Sequence, residues 1–547
     1  MRDNSGDAGC YPIPNLMLHV ALCVLYFGVL LGLSSYGLHR LHLVILCARK
    51  SREIALAQVA PPIIESELPV VTIQLPLFNE STVAARLLDA VAKMDYPGDR
   101  LEIQVLDDST DETADQVRAH VERLRARGLD FVYIHRTDRT GYKAGALDAG
   151  LKVAKGELIA VFDADFIPQP EFLRSIVAHF QDPKVGMVQT RWGHLNRDVS
   201  VLTKVQALML DGHHLVENRA RFGAGFLFNF SGTGGMWRAE AIHSAGGWEH
   251  DTLTEDLDLS YRAQLAGWKF IYREDVVSPS ELPEDLSALR AQQYRWAKGT
   301  VQTARKLMKT VLGSHLTLSQ RIEAFFHLTP HFAYPMMVLL SVLLLPALVL
   351  MPAADTMTML IIDLPLCTAT TGSLLAFYML AESAQGRPRL GALKRLPMLI
   401  ALGTGLAPHL SRAVFSGLGN MAGEFVRTPK QGLKKGRYSA TADLPIAETV
   451  LALISVFAVV ASVTTGHYFA TPFAMLFAIG YGYVSTLVML EQASRRRASA
   501  ADELAMEEAP ALLSDRLMAS EPPVSGERWA AGARSASAES TMSADAA

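Results

Sequence analysis

At 547 residues the chain is too long for one small domain, and half of it is apolar, which argues for membrane-spanning segments beside a soluble domain. The formal net charge is −4, from 51 basic and 55 acidic side chains, so no nucleic acid is expected as a partner. The four cysteines, Cys10, Cys23, Cys47 and Cys367, avoid the stretch from 48 to 366, which excludes a disulfide framework or a thiolate zinc site there.

After a segment over residues 1–15, the apolar run from about Leu16 to Leu31 continues with few interruptions to Cys47. That is long enough for a transmembrane helix over 16–47, since a bilayer needs roughly 20 residues. A signal peptide fits less well, because no basic cluster precedes the run and no small-residue cleavage site comes before Arg49, Lys50 and Arg52. Those cations follow the span, so the positive-inside rule puts the next domain, 48–300, in the cytosol.

From Val70 to about Trp268, short β-rich runs alternate with amphipathic stretches, the pattern of a mostly parallel sheet with helices on both faces. Val70 to Leu75 reads as a buried strand, and Glu80 to Met94 as a helix with Val83, Leu87, Leu88 and Val91 at helical spacing. A second strand, Leu101 to Leu106, ends on Asp107-Asp108, before a helix over Ser109 to Ala126. A third, Leu158 to Phe162, delivers Asp163 and Asp165 at its carboxyl end, where open α/β sheets bind ligands.

Asp107 and Asp108 can accept hydrogen bonds from a nucleobase or ribose, although helix capping explains acids there equally well. Lys143, in the glycine-flanked Arg139-Thr140-Gly141-Tyr142-Lys143, is a point charge suited to phosphate or simply an exposed helix-start lysine. Asp163-Ala164-Asp165, followed by Pro168, suggests a loop gathering oxygens around Mg²⁺ or Mn²⁺, hard ions that complete their shell with substrate phosphates. Thr254-Glu255-Asp256 precedes an amphipathic stretch and occupies a helix start. Asp256 there is the candidate general base: one carboxylate taking the acceptor proton while a leaving group departs from the opposite face inverts the reacting centre. Helix capping by Glu255 or Asp256 is the alternative. Gln292, Arg295 and Trp296 share one face of a polar helix, where arginine can hold a leaving diphosphate and tryptophan can stack on a ring. Tryptophan also serves as an interfacial anchor in membrane proteins.

Interfacial helices are expected over 301–333, and two spans over 334–381, at about Tyr334 to Met351 and Met357 to Ala381. Within 382–446, the stretch Leu396 to Gly423 has basic residues on both sides and holds His409 and Arg412, which favours an interfacial or re-entrant segment over a crossing. Two more spans fall over 447–490, and the Ala-, Ser- and Glu-rich tail over 491–547 is expected to be disordered in the cytosol.

In this order the motifs resemble the processive membrane glycosyltransferases of family 2, the cellulose synthase-like proteins among them, over about Val70 to Lys435. The resemblance is greatest to the plant cellulose synthase-like mannan and glucan synthases, on Leu106-Asp107-Asp108-Ser109-Thr110-Asp111, Val188-Gln189-Thr190-Arg191-Trp192, Gly232-Thr233-Gly234-Gly235 with Trp237-Arg238, and Glu281-Leu282-Pro283. It implies a GT-A-type α/β domain inserted between the helices of a polytopic membrane protein, in a bacterial inner or plasma membrane or a Golgi-type membrane. The implied activity moves a hexose from GDP-mannose or UDP-glucose to a β-linked polysaccharide, fed into a channel of the protein's own helices. A glycosyltransferase acting on a membrane lipid would carry the same acids, and a non-catalytic transport or scaffold subunit is a third reading, though no motif is broken. By the match, Asp108 contacts the nucleotide, Asp163 and Asp165 the diphosphate and metal, and Asp256 the acceptor, with Gln292, Arg295 and Trp296 lining the site and Glu255 beside them. Phe425-Val426-Arg427-Thr428-Pro429-Lys430 looks like the gating loop of bacterial cellulose synthase, with Phe425, Thr428 and Lys430 matching and Arg427 departing from it. A basic loop that binds lipid headgroups is the alternative there. No regulatory β-barrel follows the last span, so control by a cyclic dinucleotide is not expected.

Overall fold

The computed structural model describes residues 16–350, 357, 364–419 and 444–518. A seven-stranded sheet organises the soluble part: β1 (Val71–Leu77), β2 (Leu101–Asp107), β3 (Phe131–His135), β4 (Leu158–Val161), β5 (Val185–His194), β6 (Gly235–Arg238) and β7 (Lys269–Ser280). Their order across the sheet is β3-β2-β1-β4-β6-β5-β7. All pairs are parallel except those of β6, which runs antiparallel to both β4 and β5.

Side chains of a strand alternate between faces, and here the alternation separates two apolar layers. Val71, Ile73 and Leu75 of β1 join Leu158 and Ala160 of β4 in one layer, completed by Leu87, Leu88 and Val91 of α2 (Ala84–Val91) and Val117 and Val121 of α3 (Thr113–Arg125). Ile159 and Val161 of β4 face the other layer, where Leu147 and Leu151 of α4 (Tyr142–Leu151) meet Trp237 and Phe270. The second face of β1 carries polar residues that bond one another: Thr72 Oγ1 donates to Glu102 at 2.7 Å, and Gln74 to Gln104 at 3.1 Å. Buried polar atoms so paired avoid the cost of desolvation.

Both early helices begin later than their apolar spacing suggests, and one set of side-chain bonds accounts for it. Ser109 Oγ accepts from the Asn79 amide at 2.8 Å, and the Thr110 amide donates to Asn79 Oδ1 at 2.8 Å. Residues 109 and 110 therefore tie the loop after β1 to the loop after β2 instead of opening α3, and Asn79 itself takes a positive φ of 53°.

The chain goes on through α5 (Val201–Gly212), α6 (Glu255–Leu265), α7 (Leu286–Gly313) and α8 (Leu318–Leu328). No break occurs at 300, where the soluble domain was expected to end: α7 passes through that boundary uninterrupted. Its amino terminus is held by a membrane helix. Glu491 accepts from the Leu286 and Ser287 amides at 2.6 and 3.2 Å and from Ser287 Oγ at 2.6 Å, while Asp285 caps the Ala288 amide at 2.7 Å. Such caps contribute about 0.5–2 kcal/mol each.

Five helices among the described residues are long and apolar enough to cross a membrane: Met17–Arg49, Pro330–Leu350, Leu390–Gly419, Ile446–Thr464 and Tyr468–Arg497. They correspond to α1 (Leu16–Arg49), α9 (Ala333–Leu350), α11 (Leu390–Gly419), α12 (Ile446–Thr464) and the first part of α13 (Thr471–Met518). As far as Gly419, the stretch expected to be interfacial or re-entrant belongs to one continuous helix of crossing length, α11, whose most apolar window is half buried and which packs along α7. Part of the expected span Met357 to Ala381 lies outside the described residues. Its remainder is a short helix Leu364–Cys367, a π turn Thr368–Gly372 and α10 (Ser373–Ala384).

The compact unit through Glu491 is followed by a second, Gln492–Ala547. The tail expected to be disordered is helical as far as Met518; its Ala and Glu are good helix formers, a property that composition-based reading of disorder overlooks. Residues 1–15, 519–547 and the gating-type loop with Phe425, Thr428 and Lys430 lie outside the described residues.

Candidate active site

A cavity opens over the carboxyl ends of β1, β2 and β4, where the sequence places its acids. Its walls include Asp108, Lys143, Asp163, Asp165, Glu255, Asp256, Gln292, Arg295 and Trp296. These nine residues come from five separate stretches of sequence.

Asp163 follows β4 after one intervening residue, Phe162, and its amide donates to Thr233 Oγ1 at 2.9 Å, fixing the turn that sends Asp165 into the same space. Lys143 enters from the second residue of α4, after Gly141 and Tyr142, both at positive φ (76° and 50°). Its Nζ lies 2.5 Å from Asp163 Oδ1 and donates to the Gly232 carbonyl at 2.9 Å. Burial disfavours the ammonium, but Asp163, Glu255 and Asp256 outweigh it and hold its pKa above the ordinary lysine value. Gly232 (φ 82°) sits between Lys143 and Asp256: a Cβ there would lie 2.9 Å from Asp256 Oδ2 and 3.6 Å from Lys143 Nζ.

Thr254 is the residue preceding α6, so Glu255 and Asp256 stand on its first turn. Glu255 is buried, and Asp256 Oδ1 accepts from the Leu257 amide at 2.8 Å. Withdrawal from water, reinforced by the Glu255 charge, pushes the Asp256 pKa up to about 7, against the pull of Lys143, the Leu257 amide and Arg295. Arg295 feels Glu255, Asp163, Asp256 and Asp165 together: one guanidinium on α7 faces the acids of two loops.

If Asp256 acts as a general base it must be ionised to take a proton, and kcat/KM is then expected to rise about tenfold per pH unit below about 7 and to level off above it. Initial rates from pH 5 to 8.5 check this; a profile flat down to pH 5 would separate the limiting ionisation from Asp256.

Asp107 is the exception among the expected acids. It is fully buried outside the cavity wall, accepting from Tyr133 Oη at 2.6 Å and from the Ser109 amide at 2.9 Å. Consecutive strand residues point to opposite sides, so Asp107 braces the β2–β3 edge while Asp108 reaches the cavity. Asp108 is itself held by both arms of the Arg136 guanidinium, at 2.8 and 2.6 Å.

The walls also contain residues that the motifs did not single out as site residues: Phe78, Glu80, Arg139, Trp192 and Glu281. The Arg139 guanidinium lies 3.3 Å from the Phe78 ring centroid, a cation–π contact. Trp192 Nε1 donates to the Thr233 carbonyl at 3.3 Å, and Glu281 pairs with Arg86 at 2.6 Å. Phe78 and Glu80 follow β1, and the strand-end rule applied to β2 and β4 would have found them.

For a divalent ion, Asp163 and Asp165 supply hard carboxylate oxygens, and neither His nor Cys is among the described cavity walls. That donor set suits Mg²⁺ or Mn²⁺. A separate acid group, Glu249, Asp251 and Asp258, is already served by the Lys306 ammonium.

A GT-A-like sheet whose strand ends carry paired acids, a buried cation and a base candidate, flanked by apolar helices, defines a membrane glycosyltransferase. A family model described as glycosyltransferase like family 2 matches residues 69–299. Glucomannan 4-beta-mannosyltransferase 1 of Oryza sativa subsp. japonica is 38% identical over 359 residues, 62% of this chain and 68% of that protein. Glucomannan 4-beta-mannosyltransferase 1 of Cyamopsis tetragonoloba is 30% identical over 506 residues, 87% of this chain and 94% of that one. Among solved structures, the mannosyltransferase PcManGT from Pyrobaculum calidifontis, in complex with GDP-Man and Mn2+, aligns with a TM-score of 0.44 at 23% identity, over 67% of this chain and 97% of that one. The chain belongs to glycosyltransferase family 2, with cellulose synthase-like glucomannan mannosyltransferases as its relatives.

Proposed function

We propose that this enzyme transfers mannose from GDP-mannose, with inversion, to the end of a β-1,4-linked mannan or glucomannan at the cytosolic face of its membrane. The observation that carries the reading is the single cavity shared by Asp163, Asp165, Lys143, Asp256 and Arg295. The glucomannan mannosyltransferase names of the relatives support the sugar and the polymer, and Arg49, Lys50 and Arg52 after the first apolar helix support the cytosolic side.

Asp256 takes the proton of an acceptor hydroxyl as that oxygen bonds to the anomeric carbon. The bond from that carbon to the β-phosphate oxygen breaks, and its electron pair leaves with GDP. Lys143 and Arg295 face the growing negative charge on the diphosphate, where fixed charges out of water act most strongly. Because attack and departure occupy opposite faces, an α-linked donor gives a β-linked product. Asp163 and Asp165 would hold Mg²⁺ or Mn²⁺, which when bound supplies further charge stabilisation to the diphosphate. Trp296 and Glu255, with Trp192, form the wall assigned to the acceptor sugar, and the apolar helices beside it are the proposed exit for the polymer.

Membrane vesicles given labelled GDP-mannose and UDP-glucose separately test the reading. Ethanol-insoluble label from GDP-mannose that an endo-β-mannanase releases is the expected result. Label from UDP-glucose alone would overturn the donor, and label extracted wholly into organic solvent would replace the polymer acceptor with a lipid.

A further inference from the structure

The cavity uses the first half of one face of α7, at Gln292, Arg295 and Trp296. At helical spacing the same face continues through Gly299, Gln302, Thr303 and Lys306, and each of these grips the segment that leads into Asp256. A Cβ on Gly299 would lie 2.6 Å from Thr254 Cγ2 and 2.9 Å from the Leu253 carbonyl carbon and the Thr254 nitrogen. No side chain fits there, so the helix axis and the backbone before α6 touch directly. One turn on, Gln302 Oε1 accepts from the Leu253 amide at 3.0 Å, and the Thr303 and Thr254 hydroxyls lie 3.1 Å apart.

Lys306 closes the grip. Its ammonium pairs with Asp251 at 2.7 Å, with fully buried Asp258 at 3.1 Å, and with Glu249. Asp258 also receives Arg262 at 2.7 Å, whose guanidinium donates to the Gly247 carbonyl at 2.9 Å. Three carboxylates brought this close repel one another, and the part-buried Lys306 ammonium, with Arg262 beside it, converts the repulsion into a clamp on both ends of the loop that carries Thr254 and Glu255.

We propose that Gly299, Gln302, Thr303 and Lys306 form a positioning surface that fixes Asp256 against Arg295, so that proton removal and departure of the diphosphate are held in register by one helix. The proposal rests on the reading of Asp256 as the base. None of the four residues is among the cavity walls, so they act through Leu253, Thr254 and Asp258. Misplacement of a catalytic group by about 1 Å costs on the order of 10²-fold in rate without weakening substrate binding.

The test uses the purified full-length enzyme in detergent, with whichever sugar nucleotide the wild type turns over. Gln302→Met and Lys306→Met are expected to lower kcat at least tenfold, with donor KM and GDP affinity within twofold of wild type. Lys306→Arg, which keeps the cation, is expected to retain more than half of kcat. Melting followed by tryptophan fluorescence identifies a variant that has merely unfolded; Thr303→Val and Gln302→Met, which keep volume and add no charge, then decide the matter. Wild-type kcat in those two variants, or a loss confined to donor KM, overturns the proposal. Asp256→Asn measured alongside separates the two readings. An active Asp256→Asn enzyme removes the base, whereas an inactive one beside fully active α7 variants removes only the positioning surface.

Discussion

Asp256→Asn is expected to lower kcat by about 10²–10⁴-fold, the range supplied by a positioned general base, while GDP binding stays within about twofold of wild type. Asparagine preserves the shape and can still accept the Leu257 amide, so α6 keeps its first turn. What disappears is the carboxylate proposed to take the proton from the acceptor. Asp256 stands on the first turn of α6 near Lys143 and Arg295, whereas Asp163 and Asp165 come from the segment after β4; its loss is therefore expected to fall on the chemical step. Initial rates with membranes, paired with GDP binding by equilibrium dialysis, check the split. Turnover retained within tenfold would remove Asp256 from its role.

Arg295→Lys should be nearly as damaging, with a fall in kcat of about 10²–10³-fold, comparable to deleting one fixed donor to developing charge. The substitution keeps one positive charge in a cavity that gathers Glu255, Asp163, Asp256 and Asp165, so folding is preserved. The planar fork that can hold two phosphate oxygens at once is lost, and lysine does not replace it. Measured kcat with unchanged melting temperature is the expected pattern. A variant of wild-type kcat would mean that charge alone, and not the fork, serves the leaving group.

Much of the candidate site could be read from the chain because residues that line the cavity sit at positions that local rules identify. Strand ends point to Asp108, Asp163 and Asp165; a helix start points to Asp256; spacing of three and four along α7 brings Gln292, Arg295 and Trp296 to one face. The rules failed where tertiary contacts decide between neighbours. Nothing in Asp107-Asp108 says which acid turns inward, because that depends on Tyr133 from the adjacent strand. Ser109 and Thr110 read as the start of a helix until Asn79, 30 and 31 residues earlier, is seen to bond them. The soluble domain was expected to end at 300, yet α7 runs through that point and both its halves serve one face. Basic residues flanking Leu396 to Gly423 likewise argued against a crossing, and the continuous helix α11 has the length for one.

The central proposal is that acids from separate segments and a guanidinium from α7 surround a single sugar diphosphate. A cryo-EM structure of the enzyme with GDP-mannose and Mn²⁺ tests it directly. The expected map places the ion between Asp163, Asp165 and the diphosphate, with Arg295 against the phosphate oxygens and Asp256 on the opposite side of the mannose ring. Nucleotide bound away from Asp163 and Asp165, or Asp256 on the same side of the ring as the leaving phosphate, would contradict it.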